Sequence, residues 1–337
     1  MPHASGYAFL ADELRVWFER AGKGAESVRT GRRTGASRQD SLIGETLRVM
    51  KKLYASLAAL PLLAAAGEAW AAQPQPWQLS LQPAATGIME EIRWFEQYTL
   101  WFILPVTLLV MVLLGWVMFR YRASRNPTPS RTSHNTLVEV VWTVGPVIVL
   151  LFIAVPSFQL LTAEYDPGEE PAMTIKATGV QWYWDYEYQG QTPLTFSSLL
   201  LKDADRASLG KDDHAAYPRQ LAVDNELIVP VNTTVRVLVT ASDVIHAFAM
   251  PAFGVKVDAV PGRLNETWFK AEKEGMYYGQ CSELCGKDHA YMPIGIRVVS
   301  KEKYDTWFAA AQGDLAGANK ALLASIGSDT KLAAAGN

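Results

Sequence analysis

Two cysteines in 337 residues are too few for a disulfide-stapled scaffold. Neither sits in a Cys-x-x-Cys-His arrangement, so the chain offers no attachment point for a c-type haem, and no zinc-ribbon spacing occurs. A positive excess is also missing. The 31 basic residues stand against 34 acidic ones, net -3, which argues against nucleic acid as a partner. Charge of either sign is sparse, at 19% of residues against about 25% in soluble domains. Hydrophobic residues make up 49%, which excludes a wholly disordered chain. The mean hydropathy of +0.03 fits either one even globular chain or an average over unlike parts.

The parts are unlike. Residues 1–49 and 50–163 each carry net +2, while residues 164–337 carry 16 basic and 23 acidic residues, net -7. Two runs lack charge altogether: Tyr98 to Phe119, 22 residues, and Val140 to Ala163, 24 residues. A membrane-spanning helix needs about 20 apolar residues. A buried core helix rarely runs so long without one charge, so both runs are expected to span, as helices over 98–120 and 139–163. Pro105, Pro146 and Pro156 are tolerated in such helices where neighbours satisfy the freed carbonyls. Trp101, Trp116 and Trp142 lie near the run ends, as interfacial aromatics do.

The loop between the runs (121–138), with Arg120 at its edge, holds Arg122, Arg125 and Arg131. By the positive-inside rule it is cytoplasmic. The segment 72–97 and the acidic back of the chain then lie outside the cytoplasm. Upstream, Met50-Lys51-Lys52, a short apolar stretch and Ala69-Trp70-Ala71 have the layout of a secretory signal peptide over 50–71, cleaved after Ala71. Residues 1–49 are expected to be an upstream over-extension of the reading frame or to be removed with the signal.

From about residue 171 the pattern changes to short alternating segments. These are 173–180, 181–188, 226–231, 233–241, 275–280 and 293–300, separated by turn residues such as Gly190, Asp224-Asn225 and Pro261-Gly262. Such punctuation predicts a β-sandwich or barrel over 164–300. Residues 195–219 break the rhythm and read as an insertion loop with room for a short helix. After Ser300 the pattern predicts a short amphipathic helix, then an Ala/Gly-rich tail expected to be mobile, together 301–337.

The residues able to carry chemistry are concentrated in Cys281-Ser282-Glu283-Leu284-Cys285-Gly286-Lys287-Asp288-His289-Ala290-Tyr291-Met292, with His246 upstream. Two cysteines in an exported domain most often pair as a disulfide. The spacing to His289 and Met292 points instead to a metal. Thiolate, imidazole and thioether together select copper. A mononuclear blue-copper centre needs one cysteine, and here a second stands four residues earlier. Two thiolates on one loop can bridge two coppers, with His246 and His289 supplying an imidazole to each. No ligand position is left open for a substrate, so such a centre suits electron transfer.

These residues, with GVQWYWDYEY, ASDVIHAFAMP, AVPGRLN and YYGQCSELCGKDHAYMP in order after a membrane hairpin, closely resemble subunit II of the haem–copper cytochrome c oxidases over roughly 90–312. The resemblance implies a two-helix transmembrane hairpin followed by an all-β cupredoxin-like sandwich. It implies a binuclear CuA centre of two copper ions, bridged by Cys281 and Cys285 and held by His246, His289, Met292 and the backbone carbonyl of Glu283. By the same resemblance the Glu283 carboxylate helps bind Mg or Mn shared with subunit I. Trp182 matches the tryptophan through which electrons arrive, although as a residue it also reads as a core aromatic on one strand face with Trp184, Tyr186 and Tyr188. Val180 stands where many members carry histidine. Glu139 matches the glutamate at the cytoplasmic mouth of a proton pathway, and is otherwise an ordinary interfacial acid. Asp224 and Asp243 match carboxylates that dock cytochrome c, with Asp185, Glu187 and Asp258 weaker candidates.

The implied function is to accept electrons from cytochrome c and pass them to the haem of subunit I, for reduction of O2 to water coupled to proton translocation. This chain alone is not expected to reduce oxygen. Implied partners are cytochrome c, subunits I and III, and membrane lipid. The implied place is a bacterial inner membrane, crossed twice, with the C-terminal domain periplasmic. Other readings are a quinol oxidase subunit, which lacks the copper ligands and is disfavoured by Cys281 and Cys285, a nitrous-oxide-reductase-like CuA module, and a membrane-anchored copper chaperone or assembly factor.

Overall fold

The computed structural model describes residues 71–128 and 130–335. The expected over-extension 1–49 and all but the last residue of the expected signal segment lie outside the described residues.

Helix α1 spans Gly87–Arg120 and helix α2 spans Thr136–Tyr165. Each starts with a side-chain cap: Thr86 Oγ1 accepts from the Met89 amide, and Asn135 Oδ1 accepts from the Val138 amide. At 1.5 Å per residue, the 34 residues of α1 reach about 51 Å, well beyond the ~30 Å of a hydrocarbon core. The helix therefore begins eleven residues before its apolar run, and its first turn is seated on the β-domain. There the Thr86 hydroxyl donates to the Phe253 carbonyl (2.8 Å), Met89 is buried, and the Ala85 backbone bonds to Ala252 and Glu272. Along the apolar runs most side chains of both helices are exposed, as spans facing lipid or other subunits must be.

Pro156 in α2 has no amide to give the carbonyl four residues back, which belongs to Phe152. The Tyr98 hydroxyl of α1 donates to that carbonyl at 3.0 Å. A polar group stranded by proline at membrane depth is thus satisfied from the neighbouring helix.

The β-domain is two packed sheets. One has β4 (Leu194–Ser198), β3 (Tyr183–Gln189), β2 (Met173–Val180), β6 (Thr234–Ala241) and β9 (Asn265–Lys270), in that order. The other runs β5 (Leu227–Pro230), β11 (Pro293–Val299), β10 (Gly275–Cys281), β7 (His246–Met250), β8 (Val255–Ala259), with β1 (Ala71–Ala72) parallel along β10. Alternate residues of each strand enter one core: Ile175, Ala177, Trp184, Tyr186, Tyr188, Val235, Val237 and Val239 from one sheet, and Leu227, Val229, Phe248, Met250, Ile294, Ile296 and Val298 from the other. This inward alternation is the pattern of a β-sandwich.

Three expectations change. The strand expected over 181–188 begins at Tyr183, so Trp182 stands in the turn before it, half-buried and packed against the edge of the core that Trp184, Tyr186 and Tyr188 fill. The break at 195–219 is not loop from its start: it opens in a fifth strand of its sheet, β4, while the short helix allowed for there is the one-turn α3 (Arg206–Leu209), after a 3-10 turn. The helix expected after Ser300 forms as α4 (Lys301–Ala311), but the tail beyond it, expected to be mobile, forms a second helix, α5 (Leu315–Ala335). Alanine is the best helix former. Ala318 and Leu322 of α5 are buried, and the Trp307 indole of α4 donates to Asn319 at 2.8 Å.

Candidate metal centre

The two cysteines flank the start of the loop from β10 to β11. Cys281 is the last residue of β10, Met292 immediately precedes β11, and His289 opens a 3-10 turn between them. His246 is the first residue of β7, the neighbour of β10, where Phe248 pairs with Cys281. Adjacent strand ends thus gather residues 35 apart in sequence. Backbone bonds close the loop: Cys281 donates to the Met292 carbonyl, Ser282 to Ala247, and His289 to Gly286.

The donor atoms converge. The two sulfurs are 3.9 Å apart and unbonded, far beyond the ~2.05 Å of a disulfide. Cys281 Sγ lies 3.8 Å from His246 Nδ1 and 3.3 Å from the Glu283 carbonyl oxygen. Cys285 Sγ lies 3.6 Å from His289 Nδ1 and 3.5 Å from Met292 Sδ. The donor atoms of His246, Cys281 and Cys285 all fall within 4.8 Å of one another. His246, both cysteines and Met292 are buried, while the Glu283 side chain is exposed. Burial, with Cys281 beside it, pushes the Cys285 thiol up to about 12. A metal bound by the Cys285 thiolate would displace that proton. The two thiols and the thioether are soft, closely gathered and buried, and with two imidazoles beside them they fit copper.

Two glycines make room. A Cβ at Gly179 on β2 would stand 2.8 Å from the His246 ring. Gly286 has φ of 127°, and a Cβ there would press on the Trp182 indole at 3.0 Å. Trp182 lies against the ligand loop: its indole N–H donates to the Cys285 carbonyl at 3.3 Å, and the Gln181 amide donates to the same oxygen at 2.8 Å. The Lys287 ammonium sits 5.0 Å from the Trp182 ring centroid and pairs with Asp288 at 2.6 Å.

The other expected residues are spread out. Asp243 touches the centre through His246 Nε2, 2.9 Å from its Oδ1. Burial opposes its charge, but hydrogen bonds from His246 and from the Gln181 and Val244 amides outweigh that and hold it below the usual carboxylate range. Asp224 is half-buried and accepts from the Leu199 and Asn225 amides, tying the loop after β4 to the start of β5. Burial pushes its carboxyl up, and those two amides only partly offset this. Glu139 is at the far end of α2 from the sandwich, where its carboxylate accepts from the Asn135 amide at the helix start. The sequence reading missed Gln181 and the two glycines. A glycine inside a strand, such as Gly179, was the available signal, because it marks a close approach.

Two family models match the chain. Cytochrome C oxidase subunit II, transmembrane domain, covers residues 74–160, and cytochrome C oxidase subunit II, periplasmic domain, covers residues 173–299. A probable cytochrome c oxidase subunit 2 of Rickettsia felis is 46% identical over 291 residues, covering 85% of this chain and 89% of that protein. Cytochrome c oxidase subunit 2 of Cereibacter sphaeroides is 41% identical over 255 residues, covering 72% and 82%. Among solved structures, the periplasmic domain of subunit II of cytochrome oxidase of Bradyrhizobium japonicum is 55% identical. It covers 44% of this chain and 98% of that one, with a TM-score of 0.39.

Proposed function

Because the chain belongs to the cytochrome c oxidase subunit II family, we propose that it is the electron-accepting subunit of its oxidase, taking electrons from cytochrome c at a binuclear CuA centre. The observation that carries this reading is the convergence of two free thiols, two imidazoles, a thioether and a carbonyl, with Trp182 bonded to the same loop. Cys281, Cys285, His246, His289, Met292 and the Glu283 carbonyl would hold the metals. When bound, copper supplies a one-electron couple that soft ligands poise and a closed site keeps from substrate. The ligand loop and β7 hold the donors in place, so little rearrangement accompanies a change of charge. Trp182 carries the path from the surface to the Cys285 carbonyl.

The remaining assignments follow the same membership. The exposed Glu283 carboxylate faces outward for Mg or Mn shared with subunit I. Subunit I receives the electrons at its haem, and subunit III completes the complex. Glu139, at the cytoplasmic end of α2, stands at the mouth of a proton path for translocation. Asp224 and Asp243 contribute to cytochrome c docking. The chain is a two-pass membrane protein with an extracytoplasmic C-terminal domain, in a bacterial inner membrane, matured by cleavage after Ala71. A copper chaperone needs exposed, exchangeable ligands, and burial of both thiols disfavours that alternative.

Electron paramagnetic resonance of the purified oxidase tests the reading. One unpaired spin shared over two coppers is expected. Cys285→Ser should abolish that signal and lower copper at this site below two per chain. A single-copper signal in the unaltered protein would sink the proposal.

A further inference from the structure

Asp243 reads in sequence as a surface charge, but its carboxylate is engaged inward. Only 29% of its side chain is exposed. Oδ1 lies 2.9 Å from His246 Nε2 and accepts the Val244 amide at 2.7 Å, and Oδ2 accepts the Gln181 amide at 2.7 Å. We propose that Asp243 is a positioning residue of the metal centre, orienting the His246 imidazole and tying it to the Gln181–Trp182 turn. This rests on the copper reading above.

The chemistry follows from the partners. An ionised carboxylate only accepts hydrogen bonds, so His246 Nε2 must carry the proton. In a neutral imidazole the lone pair then belongs to Nδ1, the atom that faces Cys281 Sγ. The ring has little freedom to escape this arrangement. Gly179 lies against its Cδ2 and Cγ, and Trp184 meets it edge-on with centroids 6.1 Å apart. Carboxylates behind ligating histidines raise their basicity and fix their orientation.

The second oxygen extends the effect. Asp243 holds the Gln181 amide, the Gln181 side chain holds the Cys285 carbonyl, and Trp182 donates to that same carbonyl. One carboxylate therefore links the histidine of β7, the tryptophan turn and the ligand loop. None of the three is adjacent in sequence to the others. Docking of a basic partner needs the charge of Asp243, whereas positioning needs its geometry as well.

The test uses the assembled oxidase carrying Asp243→Asn or Asp243→Ala. It reads copper content, the resonance spectrum, the midpoint potential of the centre and the salt dependence of cytochrome c oxidation. Alanine should lower copper affinity about 10- to 100-fold and alter the copper hyperfine pattern. Asparagine keeps an oxygen acceptor for Nε2–H, so it should restore copper content and most of the pattern while its lost charge moves the potential upward. Wild-type spectrum and potential in both variants, with only a weaker salt dependence, would overturn the proposal and leave Asp243 a docking charge. Absence of a two-copper signal in the unaltered oxidase would instead defeat the functional reading beneath it.

Discussion

At the residue scale the centre depends on what is absent as much as on what is present. The His246 ring occupies the space that a side chain at Gly179 would fill. Gly179→Ala should therefore displace the ring, lower copper content and destabilise the domain by about 1–3 kcal/mol. Metal analysis and thermal unfolding check both. Trp182 predicts a different separation of effects. It lends the centre no ligand atom, only its indole N–H to the Cys285 carbonyl. Trp182→Phe should leave copper content and spectrum intact while slowing electron transfer from cytochrome c about tenfold or more, a barrier rise of ~1.4 kcal/mol per tenfold. Stopped-flow reduction of the centre measures it, and an unaltered rate would remove Trp182 from the path.

At the element scale the two spanning helices are joined by a bond that proline made necessary. Pro156 strands the Phe152 carbonyl, and Tyr98 reaches it from α1. Tyr98→Phe keeps the ring and its stacking on Trp94 but loses the donor. A loss of about 0.6–2 kcal/mol is expected, the range for interhelical hydrogen bonds in membranes. It should be seen as earlier thermal dissociation of the detergent-solubilised complex, and Tyr98→Trp would not restore it unless its N–H reached the same oxygen. The β-sheets supply the other lesson at this scale. The loop that carries five donors is pinned because β10 and β11 are paired along six residues, from Gly275–Val298 to Gln280–Pro293, and because β7 lies beside β10.

At the scale of the whole molecule, stability and docking respond to charge in different ways. Glu226 is buried with Lys211 at 2.9 Å and with Arg297 through both carboxylate oxygens, anchoring the loop between β4 and β5 to β11. Burial alone would raise its pKa, but Arg297 and Lys211 outweigh it and hold the carboxyl down to about 2, against an ordinary 4.5. A depressed folded pKa stabilises above the unfolded value. That contribution should be fully present above about 4.5 and be lost as pH falls toward 2, as acid-unfolding curves would show. Glu226→Gln leaves two buried cations without their anion and should cost about 3–5 kcal/mol, with the acid transition flattened. On the outside, the back of the chain, 164–337, carries net -7. Oxidation of a basic cytochrome c should slow as salt rises past ~0.1 M, where the Debye length falls to ~10 Å. A second-order rate constant indifferent to ionic strength would count against an acidic docking face.

The near-neutral total charge and the scarcity of cysteine were readable at once, and so were the spans, the alternating strands and the ligand loop. Each of these is a local property. A 22-residue uncharged run, a period of two, and Cys, Cys, His and Met within twelve residues need no knowledge of distant chain. Within one loop, short spacing already limits how far apart the donors can be. What the sequence left undecided depends on segments that meet only after folding. By strand periodicity alone Trp182 reads as one more core aromatic, and its bond to the ligand loop is visible only in the fold. Asp243 reads as a solvated charge until His246 and Gln181 are seen bonded to its two oxygens. The Ala-rich tail reads as mobile until Trp307 and the buried face of α5 are seen packed together. Composition and periodicity report what a residue is suited to. Only the tertiary structure decides which partner reaches it, because that depends on which chain folding brings close, up to 103 positions away for Trp182 and Cys285.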